Sequence, residues 1–318
     1  MSLFEKLQTL FMLAAIVAGL ALGRFSIIAT HADTIIAPSL MLMLYGLFLA
    51  IPLRELRNGV KNAKFALASL GINFVWVPVL GWAIGSFFLA DHPALRIGYI
   101  MLLVTPCTDW YVIFTSIARG NVALSLSILP LNLVLQVLLL PVYLLIFTGI
   151  SGGMDARVLL ESVVLVLVLP LALAQITKRI FSYDRGVGRF LMVTFPKMQF
   201  FFLCLAIVAM FASQGAYIIK NPDIFLLLLS PVLVFFGVNF IVGRVVARIL
   251  KFPSADSISL SLTTLARNSP ISLAIAVTAF PNEPLVALAL VIGPLIELPV
   301  LAFFSQVLLH TRPKNEAF

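Results

Sequence analysis

The sequence predicts an all-α membrane protein: ten transmembrane helices built as two inverted five-helix repeats, with helices 4 and 9 broken at mid-membrane. Three observations lead there. The chain of 318 residues is 62% hydrophobic and only 11% charged, with a mean hydropathy of +1.13, far beyond what a soluble core requires. Its apolar residues fall into ten windows, each long enough for the roughly 20 residues a span needs. Two of those windows are interrupted by proline beside polar residues, and they are related by a constant offset.

The windows lie near residues 7–29, 34–53, 65–90, 95–117, 121–148, 157–180, 190–213, 222–249, 256–280 and 283–309. The first lacks a small-residue cleavage pattern and reads as a retained helix rather than a signal peptide. The polar connections are short, which leaves no stretch for a soluble domain. The fourth window contains LLVTPCTDWYVIF (102–114), with Pro106, Cys107, Thr108 and Asp109 in succession near its middle. The ninth contains LARNSPISL (265–273), with Arg267, Asn268 and Ser269 before Pro270. The tenth carries GPLIELPV (293–300), a glutamate between Pro294 and Pro299.

A net charge of +8 invites a nucleic-acid reading, but the positions of the charges exclude it. Fifteen of the 21 Lys and Arg residues fall at the two termini and in alternate connections on one side; Arg24, Arg96, Arg157 and Lys220 occupy the other side. The positive-inside rule then places both termini in the cytoplasm, in a multi-pass cytoplasmic-membrane protein. Runs such as RELRNGVKNAK (54–64) read as topology signals and headgroup contacts. The two cysteines, Cys107 and Cys204, both lie within predicted spans, with neither a disulfide framework nor zinc spacing. No Gly-rich phosphate loop or nucleophile elbow occurs, and neither a cofactor nor an enzymatic activity is expected.

VALSLSILPL (122–131) and VALALVIGPL (286–295) are identical at seven of ten positions, at an offset of 164; the same offset carries Pro106 onto Pro270. Five spans separate the copies. An odd number reverses their orientation, which is the pattern of inverted-topology repeats, residues 1–150 and 151–318. Proline in mid-helix removes a backbone hydrogen bond and clashes with the preceding turn. In lipid the freed groups must be satisfied by protein or trapped water. Matching breaks in two repeats therefore point to a substrate site, against the alternative of two simple kinks.

Four ionisable residues fall within spans: Asp109, Lys197, Arg267 and Glu297. A charge at a helix centre costs about 2.5–3.5 kcal/mol on insertion scales and marks a functional candidate. Lys197 lies near a span end and can snorkel. Asp109 follows Pro106 by three residues and Arg267 precedes Pro270 by three. If the prolines meet at the crossing, both charges lie about 4–5 Å to its cytoplasmic side, at 1.5 Å per residue, and are expected to pair. Glu297 is either a proton carrier or a carboxylate that satisfies amides freed by its flanking prolines. Asn132, just after Pro130, occupies the related corner of the first repeat. Cys204 in FFLCLA reads as apolar filler. Cys107, beside the break, is placed to offer a soft sulfur ligand to a thiophilic substrate.

PCTDW (106–110), ARGNVAL (118–124) and GPLIELPV (293–300) carry a resemblance over the whole chain. The sequence resembles the bile acid/sodium symporter superfamily and, within it, is similar to the arsenical-resistance permeases. The resemblance implies a panel and a core domain in which the broken helices 4 and 9 cross at mid-membrane, with Cys107 and Glu297 matching the permeases' functional cysteine and glutamate. It implies efflux of trivalent arsenite or antimonite in exchange for protons. The symporter branch binds sodium through a serine-asparagine pair where this chain has Tyr111 and Val112. It also uses a glutamate and a glutamine where this chain has Thr263 and Arg267, while Asn268 and Ser269 are kept. An arginine there repels sodium. Asp109 and Trp110 depart from the arsenite motif. The alternative is therefore a sodium-independent carrier of small organic anions, with Arg267 binding a carboxylate. A receptor on a transporter scaffold is a third class, for which the short tail TRPKNEAF supplies no domain. The expected partners are a small-molecule or metalloid substrate, protons and the lipid bilayer, with no nucleic acid.

Overall fold

The computed structural model describes residues 3–50, 62–108, 110–149, 157, 161–162, 164–181, 186–220 and 223–311. Among the described residues regular structure is helical, apart from one isolated β-bridge. In chain order the helices are α1 (Leu3–Leu22), α2 (Ser26–Ala50), α3 (Ala63–Phe88), α4 (Pro93–Leu103), α5 (Trp110–Ile117) and α6 (Val122–Gly149). They continue with α7 (Leu169–Ile180), α8 (Gln199–Lys220), α9 (Asp223–Ile249), α10 (Ser254–Leu265), α11 (Ser269–Ala279) and α12 (Pro284–His310).

Six helical stretches are long and apolar enough to cross a membrane: Ser26–Ala50, Ala63–Phe88, Val122–Phe147, Gly186–Ser213, Asp223–Ile249 and Pro284–His310. Each coincides with a window read from hydropathy. Large apolar side chains point outward from them, among them Phe87 at 81%, Ile27 at 78% and Leu67 at 73% exposure. Such a surface is stable only against hydrocarbon, so the protein is a multi-pass membrane protein. The fourth and ninth windows are each two short helices, α4 with α5 and α10 with α11.

The chain divides into two compact units, and each draws on both halves of the sequence. The first comprises Met1–Pro52, Met154–Leu226 and Pro270–Ala287. There α8 packs along both α1 and α2, and α7 lies against α2. Lys178 on α7 donates to the Phe48 carbonyl at 2.9 Å, which supplies a cation to the last turn of α2. The approach to α8 is irregular: a π-helical turn at Phe190–Thr194 and a 3₁₀ turn at Phe195–Met198 accommodate Pro196. Lys197 in that turn is exposed.

The second unit comprises Leu53–Gly153, Leu227–Ser269 and Leu288–Phe318. Here α10 packs against α5, α6 and the first turns of α3, and α4 lies beside α6 and the second half of α3. A π-helical turn at Ile72–Trp76 interrupts α3, with Val77 N–H reaching back to the Ile72 carbonyl. Pro78 lacks the N–H that would otherwise serve Phe74. The Phe74 carbonyl instead accepts a 2.5 Å bond from the Tyr143 hydroxyl. The same turn aims Asn73, fully buried, at the end of α10. The ARGN motif forms the tight turn between α5 and α6. Arg119 takes a positive φ of 56°. A Cβ on Gly120 would lie 2.8 Å from Ile258 and Thr115, so only glycine fits. Asn121 caps α6 through the Leu124 N–H at 3.1 Å and also holds Asp256 at 2.8 Å.

Candidate functional site

The helix crossing lies within the second unit. α4 ends at Leu103 and α10 at Leu265, and beyond them residues 105–107 and 266–268 pair in antiparallel fashion. Cys107 N–H donates to the Ala266 carbonyl at 3.0 Å, and Asn268 N–H donates to the Thr105 carbonyl at 2.7 Å. These bonds flank Pro106 and Arg267, which face one another as a non-hydrogen-bonded pair. Two consequences follow from that register. Pro106, with no N–H, sits where the ladder needs none. The Arg267 N–H points away from the ladder and must find another acceptor. Glu297 provides it, its Oε1 accepting at 2.7 Å. Glu297 is 2% exposed, and α12 is drawn close at Gly293, where a Cβ would lie 2.6 Å from Leu102 Cδ1.

Breaking two helices frees their terminal carbonyls, and in an apolar interior each needs a donor. On α4, the Thr105 hydroxyl reaches the Met101 and Leu102 carbonyls at 3.1 and 3.3 Å. Arg267 Nη1 takes the Leu103 carbonyl at 2.8 Å. On α10, Ala266 N–H serves Leu262, Asn73 Nδ2 serves Thr263 at 3.3 Å, and Asn239 Nδ2 serves Thr264. Arg267 Nη2 shares the Thr264 carbonyl, and Nε takes that of Leu265 at 3.0 Å. A further Nη2 bond runs to Asn73 Oδ1 at 2.9 Å. Arg267 is 2% exposed, and its guanidinium carbon stands 5.5 Å over the Phe235 ring.

Cys107 is 3% exposed and heads α5, its Sγ accepting the Trp110 N–H at 3.3 Å. Thr108 Oγ1 accepts from Asn268 Nδ2 at 3.3 Å. The crossing thus joins a thiol, a hydroxyl, an amide and the Arg267–Glu297 linkage in one buried cluster. Neither cysteine forms a disulfide, and no cluster of metal-ligating residues occurs among the described residues.

Cys107, Thr108, Arg267, Asn268 and Glu297, expected from the sequence to share a site, come together. Two expectations change. The sequence reading set Pro106 against Pro270, but Pro106 opposes Arg267, and Pro270 is the second residue of α11, where its missing N–H is harmless. Arg267 therefore sits at the crossing rather than one turn from it. The glutamate serves an amide freed by the break of the ninth span, not one freed by its own prolines. Asp109 lies outside the described residues. The buried Ser269 hydroxyl and the buried side-chain amide of Asn132 on α6, near Pro130, have no hydrogen-bond partner among the described residues. The sequence reading missed Asn73, Asn239 and Gln136. All three are fully buried amides in apolar helices, a signal as telling as a buried charge. Asn73 and Asn239 each begin an Asn-Phe pair 166 residues apart, close to the repeat offset.

The first unit holds a separate cleft of about 290 Å³, lined by Asp33, Ile36, Met210, Val277 and Phe280 among others. None of the residues of the crossing lines it.

Over residues 37–221 the sequence matches the model of the Sodium Bile acid symporter family. The chain belongs to that family. Curated relatives agree. It is 25% identical to the arsenical-resistance protein Acr3 of Corynebacterium glutamicum over 88% of this chain and 79% of that protein. It is 22% identical to the Acr3 of Alkaliphilus metalliredigens over 97% of this chain and 93% of that protein. An uncharacterized protein of Bacillus subtilis, YbaS, is 24% identical over 80% and 82% of the two chains. As a member of the sodium bile acid symporter family the chain is a membrane transporter for a small-molecule substrate.

Proposed function

We propose that this transporter exports arsenite or antimonite in exchange for protons, through ten helices in two inverted repeats with both termini cytoplasmic. Cys107 is the soft ligand for the metalloid, and Thr108, Asn268 and Ser269 are its polar neighbours. Glu297 and Asp109 carry protons. The observation that carries the reading is the buried thiol at the junction of two broken helices, in a chain similar to two arsenical-resistance proteins.

Four amide atoms add support. Asn132 and Gln136, four residues apart on one face of α6, are fully buried, and none of their polar side-chain atoms has a partner among the described residues. They call for a partner that both donates and accepts hydrogen bonds. Arsenous acid, an uncharged trihydroxide at neutral pH, does both; a carboxylate only accepts.

The organic-anion reading keeps one observation, a guanidinium inside the membrane domain. Against it, Arg267 spends four of its five N–H donors on the protein, and a bidentate carboxylate needs two. The deciding experiment is arsenite accumulation in cells without their own exporters, carrying the parent chain or Cys107→Ser at matched membrane levels. The parent is expected to lower accumulation and the serine form to leave it high. If neither changes accumulation the metalloid reading fails, and uptake and efflux of organic anions become the measurements of choice.

A further inference from the structure

The acceptors around Arg267 are unusual for an arginine. Among the described residues they are all neutral oxygens: the carbonyls of Leu103, Thr264 and Leu265, and Asn73 Oδ1. Three of the four are terminal carbonyls of two different broken helices, where the backbone dipoles leave partial negative charge. Unwound carbonyls and half-helix C-termini at a broken-helix crossing are the donor set with which transporters hold a small cation. The face of Phe235 borders the same space, and aromatic faces also favour a cation. Every element of the site asks for one positive charge, and the chain delivers it from its own residue 267.

We propose that this oxygen cage is a cation-binding site permanently filled by the Arg267 guanidinium, so that no soluble alkali cation binds there. The tether makes the positive charge part of the fold. In consequence an alkali-cation gradient has no point of attachment at the crossing, and coupling falls to groups that exchange protons. The cage itself does not depend on which substrate is carried; only this last consequence rests on the transporter reading above. Arg267→Ala empties the cage while leaving Asn73 and the three carbonyls in place, and so converts it into a vacant site for an alkali ion.

The test is the thermal unfolding midpoint of the purified full-length chain, with choline replaced stepwise by lithium, sodium or potassium at constant ionic strength. For the parent the midpoint is expected to be the same in all four salts. Arg267→Ala is expected to unfold several degrees lower in choline and to recover saturably with at least one alkali ion. Arg267→Lys, which keeps a tethered cation, is expected to be as indifferent to the salt as the parent. If Arg267→Ala is not recovered folded in choline, extraction in the alkali salts is the same measurement: recovery only there supports the cage, and recovery in none overturns it. A saturable, ion-specific rise in the parent, or an Arg267→Ala form that folds and ignores every alkali ion, also overturns it. None of these readouts involves arsenite, so failure of the metalloid reading leaves the result intact, and the reverse holds too.

Discussion

Replacing Glu297 separates its two roles. Its Oε1 is the acceptor for the Arg267 N–H, 2.7 Å away in a fully enclosed position. Opposite stands Pro106, which offers that amide nothing in the ladder. Glu297→Ala therefore strands a buried donor, at a cost of about 1–3 kcal/mol. Truncation of this buried side chain also leaves a void, so a total of about 3 kcal/mol is expected. Glu297→Gln keeps an oxygen in the same place and loses only the charge assistance, about 1 kcal/mol. The difference of about 2 kcal/mol corresponds to roughly a 30-fold difference in the ratio of folded to unfolded protein. Unfolding of the purified variants measures the first role. Efflux from vesicles under an imposed proton gradient measures the second, and there glutamine, unable to ionise, is expected to abolish gradient-driven transport while remaining folded. A glutamine form as unstable as the alanine form refutes the hydrogen-bond argument. A glutamine form that still responds to the proton gradient refutes the proton-carrier assignment.

Carbonyl pairing and local space set two further expectations. Asn73 serves both the Thr263 carbonyl and the Arg267 guanidinium, whereas Asn239 serves the Thr264 carbonyl, which Arg267 also reaches. Asn73→Ala is expected to cost about 2–4 kcal/mol and Asn239→Ala about 1 kcal/mol; equal unfolding midpoints would contradict this. Gly120→Ala meets Ile258 and Thr115 and is expected to destabilise by about 1–3 kcal/mol. Gly71 is helical, and a Cβ added there would meet nothing within 4 Å. Its replacement by alanine is expected to gain about 0.5–1 kcal/mol. The same unfolding assay ranks the pair, and an inverted order refutes the steric reading.

The positions of the six long helices and of both breaks were legible because hydropathy and proline act locally. Hydropathy marks where lipid is tolerated, and proline marks where a helix cannot continue. The register at the crossing was not legible. Counting residues at helical rise placed Arg267 away from the junction, but the chain from Ala266 to Asn268 is extended, so helical spacing does not apply there. The choice between the two roles of Glu297 was also hidden, because its partner is an amide on another helix and amides leave no mark in a sequence. Asn73 and Asn239 escaped notice for a related reason: a single uncharged residue barely lowers the hydropathy of its window, yet each answers a carbonyl that the break of α10 sets free.

The paired segments at the crossing behave as a miniature two-stranded sheet, and a sheet has a parity that a helix lacks. Successive side chains alternate between its two faces, so a slip of one residue exchanges the faces of Cys107 and Thr108. It also sets an N–H-bearing residue, rather than Pro106, against Arg267. The number of residues between Leu103 and Trp110 is for that reason counted to the unit. Hydropathy marks where the spans lie but is blind to this count. A single-residue insertion in this segment preserves hydropathy, but it turns the thiol to the opposite side of the junction.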